Sequence, residues 1–97
     1  KSKYVNSVQA VPPTGVITIP YNPTTVGLAA TQNTLILSPY VQSQATAETL
    51  ARALRAGRTG SVDWACGSTT VATATAQGLR GAATGTLQAK YAPSQCR

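Results

Sequence analysis

The alternation of apolar and polar positions is clearest over residues 34–40, where Leu35 and Leu37 fall on one side of an extended chain and Ile36 on the other. Residues 15–21 alternate in the same way, with Ile17, Ile19 and Tyr21 on one face and Val16 and Thr18 on the other. A mixed stretch, residues 4–11, carries Val5, Val8 and Val11 and ends at the turn signal Pro12-Pro13-Thr14-Gly15. These two segments predict a β-hairpin with a loop of about four residues. Residues 61–66 form a fourth candidate, with Val62, Trp64 and Cys66 on one face and Asp63 and Ala65 on the other. Residues 22–33, which contain Pro23, Gly27 and several threonines around the island Val26-Gly27-Leu28, read as a loop.

One helix interrupts the strands. Over residues 46–56 alanine is frequent, and Leu50 and Leu54 stack at i,i+4. Thr46 is the expected N-cap, Glu48 lies in the first turn, and Glu48 precedes Arg52 by the favourable spacing for an ion pair. Gly57 stops the helix. Arg52, Arg55 and Arg58 read as its solvated face and exit. From Gly67 onward the chain is built from Thr, Ala and Gly, and only Leu79 and Leu87 offer bulk to anchor it. A further short helix over residues 72–77 is weakly signalled.

Composition narrows the picture. Ninety-seven residues make one domain near the small end of what a single core supports. With one Trp and no Phe or Met, the apolar content is mostly Ala, Val and Leu, which fits a thin sandwich. No apolar run reaches the ~18 residues of a membrane helix. The two cysteines, Cys66 and Cys96, are too far apart, and without any histidine, for a zinc site. An even count in so small a domain suggests one disulfide in an oxidising compartment, the alternative being two unrelated thiols. A crosslink closing this loop is worth roughly 3.6 kcal/mol in the chain-entropy model. That is a large share of a total of ~5–15 kcal/mol.

The net charge of +6 sets eight basic residues against Glu48 and Asp63 alone. Such a balance attracts polyanions, although no basic run concentrates it. Catalytic chemistry has little to work with. There is no histidine, no nucleophile-elbow pattern, no P-loop and no dinucleotide fingerprint. No enzyme, cofactor or metal function is expected.

Ser61-Val62-Asp63-Trp64-Ala65-Cys66, followed by Ala89-Lys90-Tyr91-Ala92-Pro93-Ser94-Gln95-Cys96-Arg97, resembles the C-terminal part of a type IVa major pilin. Lys3-Tyr4-Val5 with Val8 and Gly15-Val16-Ile17-Thr18 resembles the family's first hairpin, and Leu35-Ile36-Leu37-Ser38-Pro39 its third strand. These segments occur in family order and cover about a third of the chain. The stretch 41–60 and the Cys-to-Cys loop are longer than is usual in the family. The resemblance implies an α+β pilin head over residues 1–97. Its four-stranded antiparallel sheet would carry strands near 4–11, 15–21, 34–40 and 61–66, an inserted helix near 46–56, and a disulfide loop from Cys66 to Cys96.

It also implies a job. The expected role is a structural subunit of a type IV pilus fibre, serving twitching motility, surface adhesion and, in some lineages, DNA uptake. The expected partners are other pilin subunits, through an N-terminal hydrophobic helix absent from this sequence, and host or abiotic surfaces. Contact with membrane is expected only through that helix, in the inner membrane before assembly into the extracellular fibre. Tyr91 and Pro93 would shape the turn that returns Cys96. Arg80, Lys90 and Arg97 are the candidate contacts for weak DNA binding. A minor pilin or pilin-like DNA receptor, or an unrelated secreted disulfide-stapled binding domain, are the alternatives. One sheet face, lined by some of Ile17, Ile19, Leu35, Leu37, Val62 and Trp64, is expected to be under-covered, because one short helix cannot shield that many apolar side chains.

Overall fold

A single ten-residue strand organises the sheet. The computed structural model describes residues 5–11, 14–43 and 46–97. In it β1 (Gln9–Val11), β2 (Val16–Pro20), β3 (Thr34–Ser43), β4 (Thr46–Thr49) and β5 (Ser61–Gly67) form one antiparallel sheet. One edge of β3 is shared end to end. β2 pairs with its first half, from Pro20↔Thr34 to Ile17↔Leu37, and β4 with its second, from Tyr40↔Thr49 to Ser43↔Thr46. β5 runs along the opposite edge, from Ile36↔Gly67 to Gln42↔Ser61. Ser38 and Pro39 fall in the gap between β2 and β4. Proline has no N–H to give, and a position without a strand partner on that edge does not ask for one.

The α+β class and the antiparallel sheet are those read from the sequence, but the sheet has five strands where four were expected, and several elements differ in detail. The helix expected over 46–56 begins only at Leu50: α2 is Leu50–Ala56, and residues 46–49 are β4. Pairing with the far half of β3 outweighs the local helical preference of Thr-Ala-Glu-Thr. Thr49, not Thr46, caps the helix, its Oγ1 accepting from the Arg52 amide at 3.3 Å. Leu50 and Leu54 both lie in α2, four residues apart. Ala53 is the fully buried residue of α2, while Leu54 is 67% exposed. Glu48 therefore lies in a strand, where both its carboxylate oxygens accept from Arg58 Nη1, at 2.7 and 2.8 Å, with Arg52 only at 3.9 Å.

Residues 22–33 are not a plain loop. They contain α1, Pro23–Val26, where Asn22 Oδ1 accepts from the amides of Thr24 and Thr25 at 3.1 and 3.3 Å. Of the strand expected over 4–11, only Gln9–Val11 forms a ladder, joined by one bridge from Val5 to Tyr21. Between them the backbone amide of the exposed Asn6 donates to Pro20 O at 2.8 Å. Tyr4, with Lys1 and Lys3, and the turn residues Pro12 and Pro13 lie outside the described residues.

Because side chains alternate along a strand, the register assigns the core to two faces. Leu35, Leu37 and Cys66 share one face and gather Leu87, Ala92 and Cys96 from the C-terminal segment. Tyr40 and Ala65 share the other and gather Ala74 and Leu79, at and beyond the short helix α3 (Ala72–Ala76). Leu79 and Leu87, the two anchors read from the sequence, are 2% and 4% exposed, one in each cluster.

Tyr40 ties the second cluster together, its hydroxyl donating to Arg80 O at 2.6 Å. Burial raises its pKa above the ordinary phenolic value, because the phenolate would be poorly solvated there. The folded state thus holds this proton more tightly than the unfolded chain. Its contribution to stability is complete below pH ~10 and declines as pH rises through the raised value. Tyr40→Phe should cost about 1–2 kcal/mol in urea unfolding at neutral pH, since Arg80 O loses its donor. The wild type should lose that advantage over the variant above pH ~10. An unchanged midpoint at neutral pH would show that the bond contributes nothing.

Candidate functional site: the disulfide-closed segment and its rim

The segment from Gly67 to Arg97 has few large side chains, and its backbone is laced to the end of the sheet instead. Cys66 at the end of β5 is bonded to Cys96, with Cα atoms 4.5 Å apart, and both are buried. Cys96 arrives on a 3₁₀ turn, Ser94–Cys96, closed by its amide donating to Pro93 O at 2.9 Å. A second 3₁₀ turn, Ala89–Tyr91, precedes it. Beside the bond, Ser68 is fully buried. Its amide donates to Cys96 O at 3.0 Å, its hydroxyl donates to the same oxygen, and its carbonyl accepts from the Gly85 amide at 2.8 Å.

Thr86 fastens the segment to the start of β3. Its Oγ1 accepts from the amides of Asn33 and Thr34, both at 3.1 Å, and lies 2.8 Å from Thr34 Oγ1. The Leu87 amide donates to Thr34 O at 2.9 Å. Such close backbone contact leaves no space for side chains. A Cβ on Gly85 would lie 2.3 Å from Thr34 O, and one on Gly67 2.2 Å from Ala83 O. Sequence reasoning saw low complexity here and missed Ser68, Thr86 and the two glycines. Their roles depend on what they face across the fold, and no local pattern announces that.

The three basic residues singled out from the sequence are not one cluster. Arg97 Nε donates to Ala89 O at 3.1 Å and Ala92 O at 2.9 Å, which sets it against the 3₁₀ turn that carries Lys90. Lys90 Nζ stands 5.2 Å from the Tyr91 ring centroid, a cation–π distance. Arg80 instead follows Leu79 and is held through its carbonyl by Tyr40, in the cluster on the opposite sheet face.

Two other surfaces stand out. On the face that carries Leu35, the C-terminal segment covers Leu35, yet Ile17, Ile19 and Leu37 remain only partly buried. Val62 and Trp64 are 51% and 48% exposed. At the edge of β5, Asp63, Trp64, Gln77, Leu79 and Gln95 line a cleft of about 450 Å³. Among the described residues Asp63 pairs with no arginine, and its Oδ2 accepts from Gln42 Nε2 at 3.1 Å. The arrangement offers hydrogen-bonding groups and apolar surface for contact with other molecules.

A family model for pilin, a bacterial filament protein, matches residues 1–97. Among solved structures, a type IV pilin of Pseudomonas aeruginosa superposes with a TM-score of 0.95 at 52% sequence identity. The match covers 100% of this chain and 66% of that one, so the chain spans about two-thirds of that pilin's length. None of the curated proteins compared matches the chain.

Proposed function

This chain belongs to the pilin family, and we propose that it is the globular head of a structural subunit of a type IV pilus. The observation that carries the reading is agreement with a type IV pilin over the whole chain, at 52% identity. The half-covered sheet face supports it physically. Ile17, Ile19, Leu37 and Val62 lie on one side of the sheet, where an apolar helix ahead of residue 1 would find a ready surface. On this reading residues 1–97 are one head domain. The helix holds the subunit in the inner membrane before assembly, and heads face outward in the extracellular fibre. There they serve adhesion to host or abiotic surfaces and twitching motility.

The test joins the N-terminal helix of a type IV pilin to residue 1 and expresses the protein in a pilin-null, assembly-competent strain. Fibres sheared from the surface should contain this head, and twitching zones should reappear on agar. Subunits that stay in the membrane fraction, with no fibres, would sink the reading.

The net charge favours a secondary role in contacting DNA, weak and without sequence preference. Lys90 and Arg97 share one rim and support it, and Arg80 is removed from that group because it sits in the other cluster. Two phosphate contacts imply a slope of log Kobs against log salt of about −1.8. In titrations of labelled duplex DNA, combined Lys90→Ala and Arg97→Ala should abolish that slope, and Arg80→Ala should leave it unchanged. Salt-insensitive binding would count against the role.

A further inference from the structure

Ser38 carries a buried hydroxyl that has no hydrogen-bond partner among the described residues. The residue is 6% exposed and sits in the middle of β3, where β2 and β4 leave their gap on one edge. A buried hydroxyl gives up its hydration, and without a partner it gains nothing in return. Such an atom marks a place where something else should bond.

Ser38 lines a cavity of about 180 Å³. Alternation along β3 puts its side chain on the Tyr40 face of the sheet. The register adds Val16, at the start of β2, and Thr49, at the end of β4, to the same floor. Gly81 and Ala83 line the cavity from the disulfide-closed segment, just after Arg80, whose carbonyl the Tyr40 hydroxyl holds.

The chemistry of this lining narrows the guest. The other hydroxyls already hold bonds: Thr14 Oγ1 accepts from the Val16 amide and Thr49 Oγ1 from the Arg52 amide, both at 3.3 Å, while Tyr40 donates to Arg80 O. Val16, Pro39, Ala51 and Ala83 make the rest mostly apolar. Waters filling the space would each need about two to four polar partners, and Ser38 alone has bonding capacity unused. An apolar cavity of about 150 Å³ takes a benzene-sized guest, so this one has room for a single ring and the atom that meets Ser38. No charged side chain of the described residues lines it, and a charged guest would lose its hydration unpaired.

We propose that this cavity binds a neutral six-membered ring bearing one hydroxyl, a simple phenol or cyclic alcohol, hydrogen-bonded to Ser38 Oγ. The site lies within the head alone, so it does not depend on the fibre reading.

The test titrates the 97-residue chain with phenol, cyclohexanol and benzene and follows backbone amide chemical shifts. At least one of the two hydroxylated rings should shift the amides of Ser38, Thr49, Gly81 and Ala83 saturably, and bind more tightly than benzene. Ser38→Ala should weaken that ligand about five- to tenfold, the loss of one hydrogen bond, and leave benzene unchanged. Ala51→Leu, which keeps a good helix former in α2, should fill the space and remove binding of both. If that variant does not fold, Ser38→Ala decides alone. No saturable shift, as from a cavity that holds only water, would overturn the proposal. Shifts spread over the half-covered face of Ile17 and Leu37, or an affinity unchanged by Ser38→Ala, would overturn it equally.

Discussion

The bond between Cys66 and Cys96 decides where almost a third of the chain can lie. The segment it closes is made of side chains too small to bury much surface, and only Leu79 and Leu87 reach the core with real bulk. Fixing those residues costs on the order of 1–2 kcal/mol each in backbone entropy, far more than two leucines return. The crosslink offsets part of this by shrinking the unfolded ensemble, and hydrogen bonds through Ser68, Gly85 and Thr86 supply local closure. With the segment in place, Leu35 is sealed on one face and Tyr40 on the other, so β3 and β5 have a core on both sides.

What was legible in the sequence follows from how local each cause is. Leu35-Ile36-Leu37 and Val62-Trp64-Cys66 alternate because they sit in strands with two distinct faces, and their pairing keeps that pattern visible. Residues 46–49 were misread as helix because β4 exists only through its contact with the far half of β3, about which Thr-Ala-Glu-Thr says nothing. Which face of α2 is buried was not legible for a related reason. The period of a seven-residue helix does not tell which side meets the sheet, and here the side bearing Ala53 does. The helix α1 did carry its signals, an Asn cap, Pro at the first position and Gly after the last, compressed into too few residues to stand out.

The site was legible in outline. The cysteine pair could be read from counting, and the anchors Leu79 and Leu87 from their isolation among small residues. The lacing around them could not, because Ser68 and Thr86 are ordinary loop residues until their partners at Cys96 and Thr34 are known. Likewise Arg80 lies in the same loop as Lys90 and Arg97, yet the chain crosses between sheet faces along the way. A disulfide brings two points together, and the residues between them need not follow.

Native-state hydrogen exchange, oxidised against reduced, tests the dependence on the Cys66–Cys96 bond most directly. The account predicts that reduction removes protection at the amides of Ser68, Thr69, Gly85 and Leu87, while amides paired between β3 and β5 exchange more slowly than these. Retained protection at those four amides after reduction would contradict it, and would assign the order of the segment to its hydrogen bonds alone.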